Sequence, residues 1–581
     1  MTSARNSNTG WDFHLRLLTS SSRDSTDPAS DPSIIDSVKK LCEICRAEKS
    51  EDLAARVYPH LNKIFQRSVA SINQSRTSNG ILLLAILQFF LDYGEVGLHD
   101  SVPSLQTFFR SCLSREFADP QVAEATLDFL NSNMDKFLTL FPAILPQFFP
   151  LMLKLIAWNG ERLLKPFLKV FPALISNGSF LPLLPSLMDM PILVVALEKV
   201  ERSSGSLVGT NITSIQKSAA PEMLLALMDE AYTGSTIGDG REDSESDDNN
   251  TMDAVDPMYL ELLKDENDGL AARHWASGMA ATLQAIVNVP QSEKLKQALN
   301  MAPRFLDVYF SRALHDVTDS LICALIPLLM LRYATIFPDI NYSYEVRRRL
   351  LEFMLSAFQR YPNFIALLKK PIMDRLGDAY DSPEKTELAM HLCWAIGEHG
   401  GGGVAHKDAA REHFDSLELL LYENLSSSRL GLSQGTANGT NGPAFRKSSQ
   451  SRLLCYVVTA ISKLATFHNE LLPRARLVTS YANLLLQVAR SRMSDVRVGQ
   501  RACDYLGLMS EPAICLSVLG SSQSSQGEKP GTVKWSEGGT KMISHIPFYL
   551  LGENEGNPSH GDSTACFCNY FHNEYVVEPD D

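Results

Sequence analysis

The chain has 581 residues, 45% apolar and 21% charged, with 53 Lys plus Arg against 67 Asp plus Glu and a net charge of −14. These proportions exclude a wholly disordered or collagen-like chain and leave room for several domains. The acidic balance argues against direct nucleic-acid binding, and ten scattered cysteines argue for reduced thiols in the cytosol or nucleus.

Residues 1–33 read as an N-terminal tail and first helix, partly disordered. Met1–Gly10 is polar and has no apolar core, so no secretory signal is expected. From 34 to 232 the pattern is helical and is read as the first part of an α-solenoid. Cys42-x-x-Cys45 has the spacing of half a zinc site or a redox pair. With no second pair and no βαβ pattern, helix packing explains it better. Ile81–Leu91, closed by Asp92, is about half the length of a membrane span and predicts a buried core helix. Val122, Phe129, Leu130, Phe137, Leu138 and Phe141 predict one helical stripe, opened by Asp119 as N-cap and Pro120 at the first helical position.

Proline recurs after bulky apolar residues: Phe141-Pro142, Phe149-Pro150, Phe171-Pro172, Phe337-Pro338 and Tyr361-Pro362. The stretches Phe141-Pro-Ala-Ile-Leu and Phe171-Pro-Ala-Leu-Ile are near copies. Short helices punctuated by proline suit stacked helix pairs, which grow by repetition beyond the limit of a single core. The expected fold class is therefore all-α, a HEAT/armadillo-like α-solenoid with disordered loops and tail.

Residues 233–257 read as an acidic disordered loop, in which Ser244 and Ser246 are candidate phosphorylation sites. Residues 258–425 form the second part of the solenoid. Leu321–Leu331 predicts another core helix. Val346, Leu350, Phe353, Met354, Ala357, Phe358 and Tyr361 form an apolar stripe, with Arg347, Arg348, Arg349 and Glu352 on a solvent face. Ser382-Pro383 predicts a further helix start. Gly400–Gly403 lacks the Lys-Ser/Thr of a phosphate loop and is read as an inter-helix loop.

Residues 426–450 read as a flexible linker, 451–519 as basic C-terminal helices of the solenoid, and 520–581 as a mostly disordered tail. Short sticky pieces lie at Ile546–Leu551 and Phe567–Val577. Between Arg446 and Arg501 ten basic residues face only Glu470 and Asp495. Arg474, Arg476, Arg490, Arg492, Arg497 and Arg501 are candidate contacts to an anionic surface or partner; a solvated face balancing acidic neighbours is the plainer reading. Cys566, Cys568 and His572, with His560 nearby, have an unusual chelate spacing. No catalytic, cofactor or metal residues are assigned.

Leu392-Cys-Trp-Ala-Ile-Gly-Glu-His-Gly400 resembles a motif of large chains in adaptor-protein coat complexes. Trp394, Ile396, Gly397 and Glu398 match, while His399 stands in place of an aromatic residue. Trp394 and Ile396 would fill an inter-helix seam, Gly397 would permit close approach, and Glu398 would reach backbone donors or a cation. Phe149–Ser176, Gln88–Glu95, Ile461-Ser-Lys-Leu-Ala465 and Leu471-Leu-Pro-Arg-Ala475 are similar, in the same order, to the zeta-subunit family of the fifth adaptor protein complex.

That resemblance implies a non-enzymatic large trunk subunit of a heterotetrameric adaptor complex in endosomal and lysosomal vesicle-mediated protein transport. Implied partners are a second large, a medium and a small chain, and spatacsin-like and spastizin-like helical scaffolds. The implied location is cytoplasmic, peripheral on late endosome or lysosome membranes, without cofactors. Family chains extend further at the N-terminus, so a shortened product or missing first repeats is expected. No folded ear domain is expected after the trunk. Leu262-Leu-Lys-Asp-Glu266 puts Asp265 where a clathrin-box peptide needs an apolar residue, so clathrin recruitment is not expected. The alternative function is a nuclear helical scaffold for transport or DNA repair. An enzyme is disfavoured because no nucleophile, phosphate loop or metal set is nominated.

Overall fold

The computed structural model describes residues 9–22, 32–48, 50–72, 79–204, 291–401, 406–425, 443–488 and 496–511, with Cys515 and Leu519. Among them every regular element is a helix. The expectations at 233–257 (with Ser244 and Ser246), Leu262–Glu266, 426–442, Arg490, Arg492 and 520–581 (with the Cys566, Cys568, His572 and His560 cluster) lie outside the described residues. The chain divides into two compact units, Met1–His315 with Phe337–Tyr342, and Asp316–Ile336 with Ser343–Asp581. No single described helix is long and apolar enough to cross a membrane.

The first unit begins with α1 (Thr9–Ser21), α2 (Pro32–Glu48), α3 (Glu51–Ser71) and α4 (Gly80–Tyr93). α4 is apolar on nearly every face and is buried among its neighbours α2, α3 and the helix at Pro120–Ser132, as a helix without a polar stripe must be. Its N-terminus would leave buried amides unsatisfied. Glu116 accepts from the Asn79 and Gly80 amides at 2.9 and 2.8 Å, placing a carboxylate at the positive end of the helix. At the other end Asp92 accepts from Arg46 at 2.8 Å, Lys136 at 2.7 Å and Gln88 at 3.2 Å. Burial pushes the Asp92 carboxyl up, but these donors outweigh it and hold it below the usual range. Cys42 and Cys45 are buried on α2, where burial pushes their thiols up to about 12 and about 11. They are packing residues, and no His/Cys/Asp/Glu group among the described residues has metal-holding geometry.

The turn after α4 is closed by Leu98 N donating to Glu95 O at 3.2 Å and His99 N donating to Gly94 O at 2.9 Å, the hydrogen-bond pair of a Schellman ending. The left-handed position of that motif, usually glycine, is held by Leu98 with φ 50°. Its side chain is 95% exposed and recovers nothing by burial. A left-handed L-residue costs about 1–2 kcal/mol, against about 0.5–1 kcal/mol for the extra backbone entropy of glycine. Leu98→Gly is expected to stabilise the first unit by about 0.5–1 kcal/mol, read as a higher urea midpoint with unchanged slope.

α5 (Ser101–Thr107) passes through a π-helical turn at Phe108–Leu113 into α6 (Ser114–Glu116). α7 (Pro120–Ser132) starts as expected, with Asp119 Oδ1 accepting from Gln121 N at 2.8 Å. The single stripe expected over Val122–Phe141 is divided. Asn133 ends α7, its side-chain amide donating to Phe129 O and Gln88 Oε1, and α8 (Met134–Thr139) restarts with Phe137 inward and Leu138 exposed. α9 (Ile144–Gln147) begins within the first near-copy and packs against the 3₁₀ turn Phe171–Leu174 formed by the second, so the two copies meet. Pro150, Pro172 and Pro383 sit in first turns, while Pro59, Pro185, Pro303 and Pro327 lie inside helices, so proline marks only some of the breaks.

α10 (Phe149–Asn159) is followed by α11 (Leu164–Val170), α12 (Phe180–Met188), α13 (Met190–Ser204) and α14 (Glu293–Asp316). Gly160 ends α10 at φ 73° and ψ −157°, a region open essentially to glycine alone. A Cβ there would collide with the Gln297 side-chain amide of α14, whose Oε1 accepts from Glu161 N at 3.2 Å.

The second unit contains α15 (Asp319–Arg332), most of α16 (Ile340–Arg360), α17 (Asn363–Leu367), α18 (Lys369–Gly377), α19 (Pro383–His399), α20 (Lys407–Leu425), α21 (Pro443–Phe467), α22 (Leu472–Val488) and α23 (Val496–Ser510). The α16 stripe from Val346 to Phe358 is buried as expected. Its arginine face is not simply solvated. Arg348 pairs with Glu345 at 3.1 Å and Glu352 at 2.9 Å, Arg349 pairs with Glu345, and Arg347 donates to Tyr333 O at 3.3 Å. α21 begins at Pro443, so the last residues of the stretch expected as linker are helical; proline loses no hydrogen bond in a first turn.

Candidate functional site

α19 and α21 form the centre of the second unit. Residues 388–400 and 453–466 are buried without a break. Ser382 caps α19 by accepting from Lys385 N at 3.3 Å, and Pro383 takes the first turn. α19 packs chiefly against α21, with α17 and α18 also on it, and α20 and α23 pack on α21.

The motif residues lie in this seam. Trp394 is buried with its ring edge-on to His399 at 5.6 Å, and Ile396 is fully buried. A Cβ on Gly397 would stand 3.3 Å from Ala460 Cα, tighter than ordinary contact and against a backbone that cannot yield. A Cβ on Gly400 or Gly401 would instead meet the side chains of Leu464 and Phe467. Ala460, Leu464 and Phe467 are spaced by four and three, so one ridge of α21 lies along the glycine-bearing side of α19.

Glu398 is 4% exposed and Lys463 fully buried, and the two form an ion pair across the seam. Burial pulls the Lys463 ammonium down from 10.5 to about 7. The partner of Glu398 was not identified from the sequence, although a signal exists. Lys463 is the one Lys, Arg, Asp or Glu between Leu453 and Phe467, as Glu398 is between Leu388 and Gly400. A lone cation and a lone anion on two otherwise uncharged buried stretches need each other.

Histidine adds a second electrostatic feature. His391 is buried on α19, and burial together with the nearby Arg452 pulls its imidazolium down from 6.5 to about 3. Burial also lowers His413 and His468. The unfolded chain protonates such a histidine near 6.5 and the folded chain does not until about 3. The unfolded state therefore binds more protons between those values, and stability falls as pH drops through that window. His391 alone is expected to remove about 2 kcal/mol between pH 6.5 and 5. Urea unfolding of the second unit at stepped pH checks this, and His391→Phe should flatten the slope.

Two of the arginines singled out by charge have partners within the chain. Arg474 on α22 pairs with Asp415 at 2.6 Å and with Glu418, and stacks over Phe414, tying α22 to α20. Arg476 donates through Nε to Met509 O at 2.9 Å, satisfying a carbonyl in the last turn of α23. Arg497 and Arg501 lie on α23, and Arg490 and Arg492 lie outside the described residues.

Two family models match the chain. Residues 29–154 match "AP-5 complex subunit, vesicle trafficking", and residues 166–531 match "AP-5 complex subunit zeta-1, C-terminal TPR repeats". The repeat description agrees with the all-α, solenoid-like class and names TPR repeats. Curated relatives include human AP-5 complex subunit zeta-1, 24% identical over 448 residues covering 75% of this chain and 50% of the relative. The mouse protein of the same name is 22% identical over 494 residues, covering 84% and 55%. The chain thus spans about half the length of the curated relatives it matches. No solved structure matches.

Proposed function

The chain belongs to the AP-5 complex subunit zeta-1 family, and on that premise we propose that it is a non-enzymatic large trunk subunit of a heterotetrameric adaptor complex in endosomal and lysosomal vesicle traffic. The observation that carries the reading is the ordered family match, which runs through both compact units. Stacked helix pairs give extended surface for holding other proteins, the general use of such repeats. The polar groups of the α19–α21 seam serve packing: Gly397 sets the helix distance and Glu398 neutralises Lys463.

The expected partners are a second large, a medium and a small adaptor chain, with spatacsin-like and spastizin-like scaffolds in place of clathrin. Native purification with identification of the co-eluting chains tests this. Recovery of the three other adaptor chains supports it, and a stable solitary monomer, or a nuclear fraction holding most of the protein, overturns it.

Because Arg474 and Arg476 are already paired, contact with an anionic membrane falls to Arg490, Arg492, Arg497 and Arg501. Each basic residue near such a surface contributes about 1 kcal/mol. Arg490→Glu with Arg492→Glu is expected to weaken binding to acidic vesicles at least tenfold at low salt, read by flotation; unchanged binding removes the assignment.

A further inference from the structure

The α20–α22 pair leaves a set of apolar side chains exposed along one side. The two helices are linked at two levels: Arg474 pairs with Asp415 at 2.6 Å, and the Tyr481 and Tyr422 rings stand 5.3 Å apart. Each step from the first level to the second is seven residues, so the helices run in the same direction and in register. At about 100° per residue, Leu419 and Leu477 fall between those levels and turn to the same side of the pair. The opposite side faces the core, where Phe414, Leu417, Ala475 and Val478 are buried. Leu419 is 60% exposed, Leu477 69% and Tyr481 43%. Leucines exposed singly need no explanation, but two leucines and two tyrosines along one inter-helix groove form a docking surface.

The described residues end beside this groove. α23 packs on α22, and Arg476, the residue before Leu477, donates through Nε to Met509 O in the last turn of α23. Cys515 is buried with its Sγ 3.1 Å from Thr466 Oγ1, shortly before α22 begins. The sequence continues for 62 residues after Leu519, and its densest apolar stretch there is Ile546-Pro-Phe-Tyr-Leu-Leu551, which begins 27 positions on. A chain of that length spans up to ~90 Å, whereas Leu472 to Tyr481 covers about 14 Å along α22. Reach therefore sets no limit, and a tether of this kind supplies a local concentration on the order of millimolar.

We propose that Ile546–Leu551 of the same chain docks in the α20–α22 groove, against Leu419, Leu477 and Tyr481. The chemistry matches: six residues without a charge meet a strip without a free charge, since Arg474 at its head is neutralised by Asp415 and Glu418. The other apolar piece of the tail, Phe567–Val577, is interrupted by Asn569, His572, Asn573 and Glu574, which would be desolvated in such a groove. Ile546–Leu551 lies beyond residue 531, where the family match ends, so the contact is additional to what that match describes.

The test is photo-cross-linking of the full chain carrying Phe548→p-benzoylphenylalanine, with the linked peptides identified by mass spectrometry. The expected product has the mass of one chain, joins position 548 to residues 415–422 or 473–481, and forms in a yield unchanged by tenfold dilution. Leu419→Arg and Leu477→Arg should each lower that yield at least fivefold; both side chains stand mostly in solvent, so folding does not depend on them. Leu140→Arg, at a comparably exposed leucine of the first unit, should leave the yield unchanged. A groove cross-link with the mass of two chains that fades on dilution would seat a second copy there. A groove cross-link from Phe571→p-benzoylphenylalanine and none from position 548 would seat the other piece. Either of these, the absence of a groove cross-link from position 548, or a yield that both groove variants retain, overturns the proposal.

Discussion

Glu398→Gln is expected to lower the stability of the second unit by about 3–5 kcal/mol, because it leaves the Lys463 ammonium buried without a counter-charge. Lys463→Met should cost a similar amount by stranding Glu398. The double variant should cost far less than the sum, since two neutral side chains of similar volume leave no buried charge. A double-mutant cycle in urea, following the transition of the second unit, measures the coupling. Near-additive losses would mean that the pair contributes packing only. A pH signature accompanies the native pair. Burial holds Lys463 near 7 in the folded chain, against 10.5 when unfolded. The unfolded state then binds more protons between those values, so stability should rise with pH there by up to about 1.4 kcal/mol per unit, and Lys463→Met should remove that slope.

Gly160→Ala should destabilise the first unit by about 2–4 kcal/mol. The backbone conformation at φ 73°, ψ −157° costs an L-residue about 1–3 kcal/mol. The added methyl must also displace the Gln297 amide, breaking its hydrogen bond with Glu161 N, worth about 0.5–1.5 kcal/mol. Gln297→Ala separates the two contributions: it should lose only the second and should relieve only the steric part of Gly160→Ala. Thermal unfolding of the four proteins checks this, and a Gly160→Ala loss below about 0.5 kcal/mol contradicts the backbone argument.

Much of the architecture was legible because local chemistry and burial agree. Asp119-Pro120 and Ser382-Pro383 start helices in sequence and structure alike, and the α4 run is too uniformly apolar to be anything but enclosed. The Val122–Phe141 stripe was misread because a 3.6-residue period continues across Asn133, whose side-chain bonds end the helix by a contact to Gln88 invisible along the chain. The arginines show the same limit. Charge density marked Arg474 and Arg476, but their partners Asp415, Glu418 and Met509 are remote in sequence, and only the packing of α22 on α20 and α23 brings them together. Glu398 was picked out by its motif, while its pairing with Lys463 needed the register that the glycines of α19 impose on α21.

The enclosure of α19 has a consequence during synthesis. Its apolar surface is complete at Gly400, yet the α21 wall that covers it ends only at Thr466, 66 residues later. At ~5–20 residues per second the ribosome needs about 3–13 s to deliver that wall. Throughout that interval a nascent chain displays an uncovered greasy helix, which makes this stretch the point where holding chaperones have most to do.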